Sequence, residues 1–168
     1  MSVLPIRIWG DPCLRQVAVS VVVGDIVRQL AADMIDTMYA APGRGLAAPQ
    51  VGVGLRMFVM DAHWKDGKER DPLVVLNPQL SHLSGECAPY IEGCLSLPGI
   101  LAEVMRPVAV TMQWEDLDGA HHARRLTGFE ATCAQHEIDH LDGIMIPDRI
   151  DDTGRTKISD QLAVLVVV

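Results

Sequence analysis

Between Asp25 and Tyr39, apolar residues recur at Ile26, Leu30, Met34, Ile35 and Met38. That spacing predicts a helix with one buried face. Asp25 stands where an N-cap carboxylate would accept free N–H groups, and Ala41-Pro42-Gly43 ends the segment. The pattern then changes to short β-rich runs, Leu55–Met60, Leu73–Leu76 and Val108–Trp114, separated by Gly, Pro and Asp clusters. Asp118-Gly119, between Thr111–Trp114 and His122–Leu126, signals a hairpin with a loop of two residues or more. A second helix is predicted from Gly128 to Leu141, with no proline or internal glycine and with Gly143 as its C′ residue. Leu162–Val168 reads equally as an added edge strand or a frayed tail. Strands and helices grouped without regular β-α alternation predict an α+β fold. No repeat or linker divides the chain, so residues 1–168 are expected to form a single domain.

Composition narrows the function classes. The chain has 168 residues, 49% of them apolar, enough for a real core in one domain. Its net charge is −8 and it has no run of Lys or Arg. That argues against sequence-independent nucleic-acid binding and against an anionic membrane surface. The opening MSVLPIRIWGDP has no secretory pattern. The longest apolar-rich stretches, Val17–Val23 and Leu162–Val168, fall far short of the ~20 residues that span a bilayer. Cys13, Cys87, Cys94 and Cys133 are then expected as reduced thiols, and the protein as soluble and cytoplasmic.

The strongest chemical signal is His136-Glu137-Ile138-Asp139-His140. Residues four apart on a helix share a face, so both imidazoles can reach one divalent metal. Glu137 can approach a metal-bound water without ligating, as the general base of a metal hydrolase does. A third ligand is needed. No Glu follows Glu137, and the longer pattern H-E-x-x-H-x-x-G-x-x-H fails at Ile146. Downstream Asp142, Asp148, Asp151, Asp152 and Asp160 stand in no metal-site pattern, although they stay formally open. Upstream, Cys94 in Glu92-Gly93-Cys94-Leu95-Ser96 lies in a Gly-flanked segment where its sulfur could face a site. Cys133, on the same helix as His136, fits the core, the usual place of a free cysteine. His63, His82, His121 and His122 show no ligand spacing and read as surface residues.

A third segment is Gly43-Arg44-Gly45-Leu46-Ala47-Ala48-Pro49-Gln50-Val51-Gly52, where Gly43, Gly45, Ala47 and Ala48 let another backbone or a peptide approach closely. Gln50 can supply an amide donor. The segment lacks the Gly-Lys-Ser/Thr ending of a phosphate loop.

Together, Gly43–Gln50, Glu92–Ser96 and Gln135–His140 resemble the three signatures of the peptide deformylase family, G-x-G-L-A-A-x-Q, E-G-C-L-S and Q-H-E-x-D-H. Leu4-Pro5-Ile6 and Asp11-Pro12-Cys13-Leu14 are similar to that family's N-terminal region, so the resemblance runs from Val3 to about Ile150. It implies antiparallel sheets packed around a central helix that carries the HExxH motif. It also implies one divalent metal held by Cys94, His136 and His140, with water in an open fourth position. Fe(II) is the metal the resemblance favours, while a Cys and two His also suit Zn(II), Ni(II) and Co(II). The implied reaction removes the formyl group from N-formylmethionine on new polypeptides at or near the ribosome. Glu137 would be its base, the Gln50 side chain and Leu95 N–H its oxyanion donors, and Gly45 a backbone contact to the peptide.

Two positions leave the family pattern. Arg44 replaces an apolar residue near the methionine side chain, and Leu101 stands near where many bacterial members carry Arg. Arg106 lies further on and need not take its place. These departures bear on substrate choice, with Arg44 read as a pocket-rim residue whose stem packs while its charge stays wet. Two other readings are a deformylase-like hydrolase of another formylated or acylated substrate, and a non-enzymatic protein with a structural metal. Intact Glu137 and Gln50 weigh against the last.

Overall fold

Met57-Phe58-Val59-Met60 is apolar at every position because both faces of the strand are covered. In the computed structural model, which describes residues 2–166, this strand is β2 of a five-stranded antiparallel sheet. The sheet order is β1 (Gly45–Ala47), β2 (Met57–Met60), β3 (Leu73–Ser81), β6 (Ala109–Glu115) and β7 (His121–Thr127). Phe58 and Met60 pack with Ala131, Ala134, Ile138 and Leu141 of helix α2 (Gly128–Leu141). Met57 and Val59 pack with Val27, Ala31, Met34 and Met38 of helix α1 (Asp25–Ala40). The sheet is therefore the middle layer between two helices.

A separate hairpin, β4 (Cys87–Cys94) and β5 (Leu97–Pro107), faces the helix that carries the two histidines. On its inner side Leu97, Ile100 and Val104 form a third cluster with Met145 and Ile146, Ile150, and Ile158. Ile146 belongs to α3 (Ile146–Arg149) and Ile158 to α4 (Asp152–Leu165). The α+β class and the antiparallel sheets agree with the expectation from sequence.

The elements differ from the reading in particular ways. Gly24, not Asp25, is the N-cap of α1, and Asp25 sits in the first turn, where a carboxylate still opposes the helix dipole. Ile26 is 84% exposed, because the buried stripe runs through Val27, Ala31, Met34 and Met38, one residue round from it. Leu55 makes only an isolated bridge to Val19, so β2 begins at Met57. β3 continues beyond Leu76 to Ser81 across a bulge. Asn77 there has φ 50°, and its side chain pairs with both the N–H and the carbonyl of Val21. Val108 lies outside the sheet, and the Asp118-Gly119 loop spans residues 116–120. The segment from Leu162 is neither edge strand nor tail as far as it is described: Leu162 and Leu165 end α4 and pack against the hairpin cluster. Val167 and Val168 lie outside the described residues. No helix in that range is long and apolar enough to cross a membrane.

Helix α2 matches its predicted range, and its end shows why. Gly143 has φ 71°, and a Cβ there would lie 2.6 Å from the Arg15 carbonyl oxygen, so the turn has room only for glycine.

Candidate metal centre and substrate cleft

Packing of Ala131, Ala134 and Ile138 on the sheet fixes the rotation of α2. His136 and His140, one turn apart, then meet the tip of the β4–β5 hairpin. Cys94 Sγ lies 3.2 Å from His140 Nε2, which lies 3.2 Å from His136 Nε2. Among the described residues, these three are the group whose ligand atoms converge, all within 4.8 Å. The downstream aspartates do not join them. Bond lengths of about 2.0–2.3 Å at tetrahedral angles would set such donors about 3.3–3.6 Å apart, so the triad fits one small divalent ion.

Protonation follows the neighbours. Glu92 Oε2 lies 2.9 Å from His136 Nδ1, which assigns the proton to Nδ1 and leaves Nε2 a lone pair for the centre. Glu92 itself is held from behind by Arg106, whose Nε and Nη2 donate to it at 2.5 and 2.9 Å. Arg106 Nη1 also donates to Asp139 at 2.8 Å, and Arg149 donates to both oxygens of Asp139. Burial alone would raise the Glu92 carboxyl, but Arg106 and His136 outweigh it and hold it low. Sequence reasoning assigned no role to Glu92, Arg106 or Asp139. The signal was there in part: Glu92 and Asp139 both lie inside the motifs that carry the resemblance.

Glu137 is buried, and its Oε2 has no hydrogen-bond partner. Burial pushes its carboxyl up to about 7. Gly45 explains how the side chain fits. A Cβ on that residue would stand 2.2 Å from Glu137 Oε1, so strand β1 passes the carboxylate only as glycine.

Gln50 is fixed at both ends of its amide. Its Oε1 accepts the Ala47 N–H at 2.9 Å, while Nε2 donates to Ser96 Oγ at 3.1 Å and toward Cys94 Sγ at 3.4 Å. The amide donors therefore point at the triad, held by a Ser96 contact that sequence reasoning missed. Leu95 and Ser96 form the two-residue turn of the hairpin, which leaves Leu95 N–H outside the strand ladder.

All this opens onto a cleft of about 580 Å³ lined by Gly45, Gln50, Cys94, Leu95, His136 and Glu137, with Arg44, Phe129 and Leu101 toward its mouth. The Arg44 guanidinium does not enter its floor. It donates to the Ala62 carbonyl and, at 2.8 Å, to Asp66, and it lies 5.0 Å from the Phe129 ring centroid. Arg44 and His63 together hold Asp66 down to about 2. Arg106 points into the buried network and not into the cleft. Cys133 is buried in the core cluster between sheet and α2, as expected.

A buried carboxylate beside two imidazoles and a thiol, on one helix and one hairpin, defines the HExxH class of metal hydrolase. The model of the polypeptide deformylase family matches residues 3–156. A peptide deformylase of Rhizobium meliloti is 47% identical over 156 residues, covering 92% of this chain and 89% of its own. One from Zymomonas mobilis is 44% identical over 166 residues, covering 96% and 94%. The crystal structure of the Thermotoga maritima peptide deformylase superposes with a TM-score of 0.84 at 38% identity, covering 90% of this chain and 99% of that one. The Plasmodium falciparum peptide deformylase gives 0.92 at 34% identity, covering 97% and 95%. The chain belongs to the polypeptide deformylase family and is an enzyme.

Proposed function

We propose that this chain hydrolyses the N-formyl group of N-formylmethionine at the start of newly made polypeptides, releasing formate and a free amine. The observation that carries this reading is the meeting, in one cleft, of the Cys94–His136–His140 triad, the unpartnered Glu137 carboxylate and the anchored Gln50 amide. A divalent ion bound by the triad would acidify a water and polarise the formyl carbonyl. Fe(II) is the ion we assign in the cell.

Glu137 takes the proton of the attacking water and delivers it to the departing amine nitrogen as the C–N bond breaks. Its burial suits both halves of that transfer, since a carboxyl pushed up to about 7 is a stronger base toward the water and can still return the proton near neutral pH. The Gln50 amide and Leu95 N–H donate to the carbonyl oxygen as charge develops on it, without reorganising, because Ala47 and Ser96 already hold the amide. Glu92, backed by Arg106, keeps His136 in the required tautomer. Gly45 lets the peptide lie extended along β1, as an added strand. Arg44, tied to Asp66 at the mouth, lines the rim of the methionine pocket with its stem.

The whole chain acts as one catalytic domain, in the cytoplasm, on chains leaving the ribosome. The test compares formyl-methionyl and acetyl-methionyl tripeptides with purified, metal-loaded protein. Release of formate from the first and nothing from the second is the expected result. Equal turnover of both, or turnover of neither, would overturn the reading.

A further inference from the structure

Resting on the deformylase reading, we infer that the outward face of the β4–β5 hairpin is a docking track for apolar side chains at about the fourth to sixth positions of the substrate chain. Ile91, Leu101 and Met105 are 66%, 64% and 58% exposed. The strand register puts them together: Ile91 faces Glu103, with Leu101 and Met105 two residues to either side of it, and Pro89 faces Met105. Exposed apolar side chains grouped on one face mark an interaction surface more often than singly scattered ones do.

The occupant follows from continuity. Ile91, Gly93 and Leu101 also line the substrate cleft, so the face is the cleft's own wall carried outward. Gly45 and Gly93 line the same cleft, so a peptide lying along Gly45 has Gly93 and its strand in its path. From Gly93 to Pro89 the strand runs four residues, or about 14 Å, the length of about four residues of an extended chain. Three partly exposed side chains on a two-stranded ribbon fall well short of the ~1,200 Å² that a stable protein–protein interface buries. They suit one extended chain better than a second copy of the enzyme.

The experiment uses metal-loaded enzyme and three substrates: a formyl-Met tripeptide, a hexapeptide extended by three Leu, and one extended by three Ser. The Leu hexapeptide should exceed the Ser hexapeptide in kcat/KM by about fivefold or more, mainly through KM. Met105→Asp should remove that advantage and leave the tripeptide rate unchanged. Pro89→Asp, on the facing strand, should reduce it in the same way, and circular dichroism checks that both variants fold. Equal rates on the two hexapeptides, or an advantage that survives both substitutions, would overturn the track while leaving the deformylase reading intact. A homodimer dissociated by Met105→Asp, with equal hexapeptide rates, would assign the face to a second copy and overturn it too. No turnover on any formyl peptide would instead overturn the deformylase reading, and the track with it.

Discussion

Two residues of the one site, Glu137 on α2 and Cys94 at the end of β4, should fail in different ways. Glu137 is not one of the three converging ligands and its Oε2 has no hydrogen-bond partner, so Glu137→Ala should cut turnover by at least about a hundredfold while the protein keeps its metal. Cys94→Ala should lose metal, because it removes one of three donors. Metal content by atomic absorption, beside formate release, separates the two. At the rim, Arg44→Ile should change kcat/KM on a formyl-methionyl peptide by less than about tenfold, or about 1.4 kcal/mol. The reason is local: its guanidinium is already committed to Ala62 and Asp66, outside the pocket floor. A larger gain would place Arg44 in the pocket and favour a different acyl substrate.

At the scale of elements, α2 and the β4–β5 hairpin were not equally legible. Every local signal over Gly128–Leu141 agreed, down to the left-handed Gly143, and the helix has the predicted ends. The hairpin offered no such signal because both of its faces mix apolar and charged residues. Glu92 and Arg106 point inward beside Leu97, Ile100 and Val104, while Ile91, Leu101 and Met105 point out beside Glu103. Alternation read on its own does not say which face meets the core. Its residues were found instead through Glu92–Ser96, whose chemistry needs no periodicity. The buried ion network puts the charged residues on the inner face, and it should be sensitive. Arg106→Leu leaves Glu92 facing only His136 and takes one partner from Asp139, both carboxylates being buried. Breaking a buried pair on one side costs about 3–5 kcal/mol, a loss that urea titration would measure.

For the whole molecule, the triad joins two bodies of packing that the buried Arg106 network also links. His136 and His140 ride on the helix of the central sheet, and Cys94 ends a strand whose inner side packs with α3 and α4. A metal bound at a hundred times its dissociation constant adds about 2.7 kcal/mol to stability, so chelation should lower Tm by about 5–10 °C and abolish turnover. Differential scanning calorimetry with and without chelator checks the first part. Fe(II) protein prepared without oxygen should exceed the Zn(II) form in kcat and should decay in air, as the iron or the Cys94 thiolate oxidises. Fe(II) protein no faster than the Zn(II) form would contradict the assignment of iron.

The sheet order also bears on how this molecule avoids its own kind. One border strand, β7, carries His121, His122, Arg124 and Arg125, and its two arginines reach Glu130 and the His82 carbonyl. Charged side chains along a border discourage another molecule from pairing there. The opposite border, β1, is only three residues long, Gly45–Ala47. It can receive a short extended visitor but gives little purchase to a full strand from a neighbour. With one border charged and the other this short, the sheet gives a neighbouring molecule little to pair with, and concentrated solutions should resist fibril growth.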